Sequence, residues 1–181
     1  FNYLLEKDIL EHVSDLDTTV RYFNPETGIK ISDYVHNADT FELKYIEEAA
    51  QLIKKLHDKE YRCGTSFDII ERFNTFYVEN SLYNLNPYIS YLHDAKSEST
   101  NLTLCHNDLV EGNFLFSETG NYLIDYEYAC DNDPYFDIMS FITENDIQDQ
   151  DDRNTFYKAY FGHLPNHEEQ SKLLIFERAH H

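Results

Sequence analysis

The segment CHNDLVEGNFLFSETGNYLID, residues 105–125, constrains this chain more than any other stretch. Two apolar runs, Phe114-Leu115-Phe116 and Tyr122-Leu123-Ile124, flank the turn-forming residues SETGN. Short β-favouring runs around a turn rich in Ser, Gly and Asn predict a hairpin. With 117–121 as the turn, Phe116 faces Tyr122, Phe114 faces Ile124, and Asn113 falls opposite Asp125. Directly opposed residues lie roughly 4.5–5.5 Å apart. The pairing would therefore bring an amide oxygen and a carboxylate together at the open end of the hairpin. A helix cap does not account for the pattern, because strands follow the polar loop.

That loop reads His106-x-Asp108-x-x-x-x-Asn113, with Asp125 further on. Oxygen ligands such as Asn113 and Asp125 suit Mg²⁺, which takes few protein ligands and shares the rest with water and phosphates. Asp108, just before the hairpin, is placed to reach a substrate hydroxyl beside such a metal. Phosphoryl transfer uses this set: the metal neutralises developing charge and a carboxylate orients the attacking hydroxyl. The same H-x-D-x-x-x-x-N spacing occurs in kinase catalytic loops. The competing reading is a polar turn with incidental acids. His106 reads as a structural histidine bonding backbone rather than as a base. Gly112 reads as the residue that permits a tight backbone before Asn113, and Glu111 as a solvated acid. Asp137 reads either as a first-turn helix acid favoured by the helix dipole or as a support for the metal loop.

Helices and hairpins alternate along the rest of the chain. Leu4, Leu5, Ile9, Val13 and Leu16 recur at helical spacing within 2–16. TVRYF, NPETG and IKISDYV, together 19–35, predict a first hairpin. Asp39 and Glu42 resemble a capping box, ahead of an apolar face of Phe41, Tyr45, Ala49, Leu52, Ile53 and Leu56. Ser66 is expected to open a helix with Ile70, Phe73 and Tyr77 inward, and Asn86-Pro87 another. After the second hairpin, Asp133-Pro134 supplies a cap and first-turn proline. Two further helices are expected near 149–161 and 166–179. The order is α+β, with helices dominating the second half.

The 13 Phe and 15 Tyr permit a substantial core, while the formal net charge of -20 excludes the basic face that a phosphate backbone needs. The charge also argues against nucleic acid and an anionic membrane surface as partners. It permits a cationic small molecule or a metal ion; the alternative is that it only maintains solubility. No apolar run approaches the ~20 residues of a membrane span. Cys63, Cys105 and Cys130 form neither a disulfide framework nor a zinc pattern, so a cytoplasmic setting is expected. The start FNYLLEKDIL and the ending ERAHH both read as cut, and a piece of a longer protein is expected.

LCHNDLVEGNFLF, YLIDYEYA and DPYFDI closely resemble the choline/ethanolamine kinases, within the larger fold shared with aminoglycoside phosphotransferases and protein kinases. Bacterial choline kinases look most similar. Asn107 and the IDYE of 124–127 fit choline kinases better than aminoglycoside enzymes, which more often read H-G-D and I-D-W. YFNPETGIKISDYV resembles the last strands and hinge of an N-lobe, and NYLLEKDIL the helix whose glutamate pairs with a phosphate-holding lysine. The resemblance implies a protein kinase-like α+β fold. Residues 1–36 would be a partial N-lobe of helix, hairpin and hinge. Residues 37–181 would be a mostly helical C-lobe with the catalytic-loop hairpin.

The same resemblance implies ATP as co-substrate, Mg²⁺ as cofactor and a small cationic alcohol as substrate, choline foremost. It implies Asp108 as catalytic base in contact with substrate, and Asn113 and Asp125 as magnesium ligands. Glu6 and backbone groups near Asp33 and Val35 would hold the nucleotide. Tyr128 would belong to an aromatic box for a quaternary ammonium, with Glu127 adding charge; core packing is the alternative for Tyr128. Two features depart from the family. A Gly-rich phosphate loop and strand lysine do not precede residue 1, and the chain has no Trp. Tyr157, Tyr160 or Phe161, or residues beyond 181, are expected to supply the aromatic faces. Ethanolamine, thiamine or an aminoglycoside remain alternative substrates, and a non-catalytic binding module or a purely structural domain the alternative roles. Oligomeric state is left open.

Overall fold

A computed structural model describes residues 2–76 and 84–180. Its helices are α1 (Tyr3–His12), α2 (Ile46–His57), α3 (Ile69–Phe76), α4 (Ile89–Glu98), α5 (Pro134–Glu144), α6 (Gln150–Phe161) and α7 (His167–His180). Its strands are β1 (Val20–Asn24), β2 (Ile29–Ser32), β3 (Thr103–Cys105), β4 (Phe114–Ser117), β5 (Gly120–Leu123) and β6 (Cys130–Asn132). Each strand pairs antiparallel with one other: β1 with β2, β3 with β6, β4 with β5. Among the described residues no helix is long and apolar enough to cross a membrane.

Local chemistry explains most of the helix starts. Asn2 caps α1 by accepting from the Leu5 amide, Asp133 caps α5 ahead of Pro134, and Asp149 caps α6. Such caps satisfy amides that a helix start otherwise leaves unpaired. Gly28 closes the first hairpin at φ +70, and a Cβ there would meet the Tyr3 ring at 2.5 Å. Glycine is therefore required on both conformational and packing grounds.

Two expected helix starts are corrected. The Asp39/Glu42 capping box does not form: Glu42 makes no side-chain cap bond before the short turn Leu43–Tyr45. Asp39 instead pairs through its backbone with Phe116, at 2.9 Å in both directions, and extends the β4–β5 hairpin. Tertiary pairing outweighs a weak local cap. Ser66 does not open α3 either. Residues 65–67 run beside β6, with Phe67 N donating to Asp131 O at 2.9 Å. Asp68 caps α3 by accepting from the Ile70 and Glu71 amides. Tyr77 lies outside the described residues.

The core forms where α2 packs on α6, α5 on α7 and α4 on α7. Phe141 is its aromatic centre, with ring centroids 4.8 Å from Phe41, 5.4 Å from Phe114 and 5.0 Å from Phe156. Edge-to-face and offset contacts of this kind contribute beyond simple burial. The cluster joins the β4–β5 hairpin to α5 and α6, so the polar loop before β4 rests on a packed base.

Candidate active site

The β4–β5 register differs from the expected one by a residue. Phe114 pairs with Leu123, Leu115 with Tyr122, Phe116 with Asn121 and Ser117 with Gly120. The connection is thus Glu118-Thr119 alone. Ser117 Oγ closes it by donating to Gly120 O at 2.9 Å. Asn113 consequently faces Ile124, whose amide donates to Asn113 O at 2.9 Å, and not Asp125. Asp125 lies one residue beyond the ladder, in a left-handed conformation at φ +70. A non-glycine residue in that region is uncommon, although Asp and Asn tolerate it best.

Asn113 is buried and donates from Nδ2 to Asp108 O at 2.8 Å and to Asp108 Oδ2 at 3.3 Å. With its nitrogen committed, the carboxamide oxygen is left as an acceptor. Asp125 is exposed and caps the following turn without a side-chain hydrogen bond. Burial first, then the charges of Asp125 and Asp108, raises the Glu127 carboxyl above its ordinary value. Glu6, on α1, is likewise raised, by burial foremost. Lys30 opposes that shift, while Asp125, Glu127 and Asp17 add to it. Glu127 thus lies among acids, with Glu6, Asp125 and Asp108 around it. Hard, anionic oxygens with an amide oxygen beside them fit Mg²⁺ by donor type.

The loop is held from behind. The Asp137 carboxylate accepts from the His106 amide at 2.7 Å and the Asn107 amide at 2.8 Å. Burial opposes ionisation of Asp137, but the hydrogen bonds from His57 and from the His106 amide hold its carboxyl below the usual range. His106 is fully buried and its Nε2 lies 2.9 Å from Ile124 O. Burial lowers its pKa, so the ring is neutral near pH 7 and Nε2–H is the donor to that carbonyl.

Sequence reasoning gave no structural role to Asn107 and passed over His57. Asn107 sits at φ +64. Its Nδ2 reaches Tyr128 O at 3.0 Å and its Oδ1 accepts from Asn132 at 2.8 Å, which ties the loop to β6. A left-handed position admits Gly or Asn, and Asn adds these bonds. His57, at the end of α2, bonds Asp137 through Nε2 at 3.0 Å. Its spacing from Ile53 puts it on the apolar face, the only sign in the sequence that it is buried.

Glu127 and Tyr128 line a cavity of about 440 Å³ together with Leu5, Phe67, Glu71 and Arg72. The Arg72 guanidinium lies over the Tyr128 ring, 4.9 Å from its centroid. The expected contribution of Tyr157, Tyr160 or Phe161 to this cavity is not found. Tyr157 and Tyr160 are buried with α6 in the core, and Phe161 packs against Tyr135 and Tyr160. Tyr160 faces His57 of α2 and Phe161 faces Tyr135 of α5, so these rings cover neighbouring helices and none lines the cavity. At the first hairpin, Asp33 forms a bidentate pair with Arg21, 2.7 Å at each contact, and its amide donates to Thr19 O.

A family model described as choline/ethanolamine kinase matches residues 13–175. The LicA protein of Haemophilus influenzae is 26% identical over 145 residues, covering 71% of this chain and 54% of that protein. The crystal structure of choline kinase LicA from Streptococcus pneumoniae is 27% identical, with a TM-score of 0.77 over 97% of this chain and 67% of that one. A LicA structure in complex with AMP is 27% identical, with a TM-score of 0.74 over 97% of this chain and 66% of that one. The chain thus spans about half the length of the curated LicA relative, and its α+β fold is kinase-like.

Proposed function

The chain belongs to the choline/ethanolamine kinase family, and on that premise we propose that the protein transfers the γ-phosphoryl group of ATP to the hydroxyl of a small cationic alcohol, choline foremost. The observation that carries this reading is the Asp108–Asn113 hydrogen bond beside the exposed carboxylate of Asp125, which makes no cap hydrogen bond to the turn it begins. Asp108 orients the alcohol and takes its proton as the new phosphate ester bond forms and ADP leaves. Asn113 Oδ1 and Asp125 would hold Mg²⁺, which neutralises charge on the transferring phosphate when bound. Glu6 orders the nucleotide side of the site. The Asp33 amide is spent on Thr19, so the nucleotide base is read as held by the Asp33 carbonyl and Val35 backbone. In this reading 1–36 serves as a partial N-lobe and 37–181 as the C-lobe.

Ethanolamine is the second reading, and Arg72 favours it. A quaternary ammonium has no N–H and relies on aromatic faces. Arg72 already covers one face of Tyr128, whereas Glu71 and Glu127 offer carboxylates to a primary ammonium. The test is phosphate transfer from ATP in the presence of Mg²⁺, with choline and ethanolamine assayed side by side. Product formation that is lost in Asp108→Asn is expected. ADP release equal in both proteins, with neither alcohol phosphorylated, would overturn the reading.

A further inference from the structure

Asp137 has no exposed surface, yet three N–H groups converge on its carboxylate. His106 N and His57 Nε2 reach Oδ2 at 2.7 and 3.0 Å, and Asn107 N reaches Oδ1 at 2.8 Å. Two of these donors belong to the catalytic loop, on the two residues that precede Asp108. The third belongs to α2. On its other side, His57 Nδ1 lies 2.7 Å from Tyr160 Oη on α6.

The order of donors along this chain follows from its acceptor end. An ionised carboxylate only accepts, so His57 Nε2 carries the hydrogen. With the hydrogen on Nε2, Nδ1 is left to accept from Tyr160 Oη–H. Tyr160 has little choice of position, because its ring stacks on Phe156 and meets Phe161 edge-on. The carboxylate therefore sets the tautomer of His57, and the fixed hydroxyl sets its tilt. The loop benefits from such restraint: Asn107 sits at φ +64, a conformation that asparagine tolerates and that its bonded surroundings fix.

We propose that Tyr160 and His57 form a positioning relay that acts through Asp137 to hold the His106–Asn107 main chain, and so aims Asp108 at the substrate hydroxyl. His57 touches no reacting atom; it is a positioning residue. Its catalytic consequence rests on the phosphotransfer reading above, while its structural consequence does not. Without the His57 donor, Asp137 Oδ2 is a buried oxygen with one bond fewer, and its hold on the two loop amides relaxes.

The test compares His57→Leu, His57→Gln, Tyr160→Phe and the Gln/Phe double variant. Two readouts are taken: steady-state kinetics, and hydrogen exchange at the His106 and Asn107 amides by NMR. His57→Leu should lower kcat by about 10–100-fold, the range typical for groups that orient a ligand shell, while KM for ATP changes little. Exchange at both amides should accelerate. Gln places an amide N–H where the Nε2–H stood, so His57→Gln should keep most of kcat and slow exchange. Because Gln has no ring nitrogen for the tyrosine to orient, Tyr160→Phe should slow the wild type yet add little in the Gln background. Exchange at the two amides unchanged in both His57 variants would overturn the relay. So would Leu and Gln variants that lose kcat equally. If the full-length wild-type protein transfers no phosphate, the phosphotransfer reading fails and the exchange data still decide the relay. If His57→Leu does not fold, the Gln and Phe variants decide it.

Discussion

The Asn113 carboxamide donates to both the carbonyl and the carboxylate of Asp108, at 2.8 and 3.3 Å. One side chain thus fixes the distance between the proposed base and the proposed metal ligand. Because the two roles remain chemically distinct, they should separate on mutation. Asp125→Asn removes a negative oxygen ligand and should weaken Mg²⁺-nucleotide binding in a calorimetric titration. Asp108→Asn should leave that binding nearly unchanged and slow phosphate transfer by about 10²–10⁴-fold. Equal losses of nucleotide affinity in both variants would contradict this division.

The acidic group around Asp125 makes stability respond to pH and metal together. Glu6 and Glu127 both have raised carboxyls, burial being the first cause and neighbouring acids the next. The folded state therefore binds their protons more tightly than the unfolded chain. Their stabilising contribution is present below the ordinary carboxyl value and is lost as pH rises through the raised value. Mg²⁺ should offset the exposed repulsion only once the acids are ionised. The rise in Tm on adding Mg²⁺ is expected to be larger at pH 8 than at pH 4.5, and to shrink in Asp125→Asn. Equal Tm increments at both pH values would count against a metal at this cluster.

Lys30 on β2 pairs with Asp17 at 2.6 Å, and the Asp17 side chain is only 1% exposed. Replacing Lys30 with Met leaves a buried carboxylate without its cation. The expected loss is about 3–5 kcal/mol, as for other buried pairs broken on one side. Urea denaturation of Lys30→Met measures it. The Lys30→Met/Asp17→Asn pair should recover part of the loss, since no lone charge remains.

Asn107 separates backbone strain from side-chain bonding. Asn107→Gly accepts the φ of +64 and loses only the side-chain links to Cys105, Tyr128, Cys130 and Asn132. Asn107→Val loses the same links and adds a β-branched residue in a left-handed position, about 1–3 kcal/mol of strain. The valine variant should therefore have the lower denaturant midpoint. Indistinguishable midpoints would show that the loop escapes the strain by moving.

Arg72 should influence the choice between alcohols. Its guanidinium covers one face of Tyr128, so Arg72→Ala exposes that face to a quaternary ammonium. KM for choline is expected to fall by several-fold, in line with about 0.5–1 kcal/mol for an added cation–π contact. KM for ethanolamine should change less. A parallel fall for both alcohols would place the effect in net charge instead.

Local rules made much of this architecture readable. Asp133-Pro134 announced α5, Asp149 lies where α6 begins, and the apolar spacing of Ala49, Leu52, Ile53 and Leu56 described the buried face of α2. The hairpin after the polar loop was equally plain, but its register was not. Ser117 Oγ can close a two-residue turn as readily as a longer one can form, and apolar residues on both strands fit either pairing. The slip moved Asp125 off the ladder. Strands β3 and β6 were not readable at all, because three residues show no alternation and their partner is supplied from across the fold.

What the sequence determined by itself is the identity and spacing of the groups: a carboxylate, an amide and a second carboxylate around a hairpin, with caps that start the helices on either side. Those depend on contacts within a few residues, where bonding partners are dictated by chain connectivity. Tertiary structure decided which groups meet. His57 reaches Asp137 from 80 residues away, Asp39 joined β4 instead of capping a helix, and Tyr160 turned toward the back of the loop instead of the cavity. Each of these depends on which side chain a folded surface brings within about 3 Å, and a buried polar group takes whichever partner the packing supplies because leaving it unpaired costs more than any local preference returns.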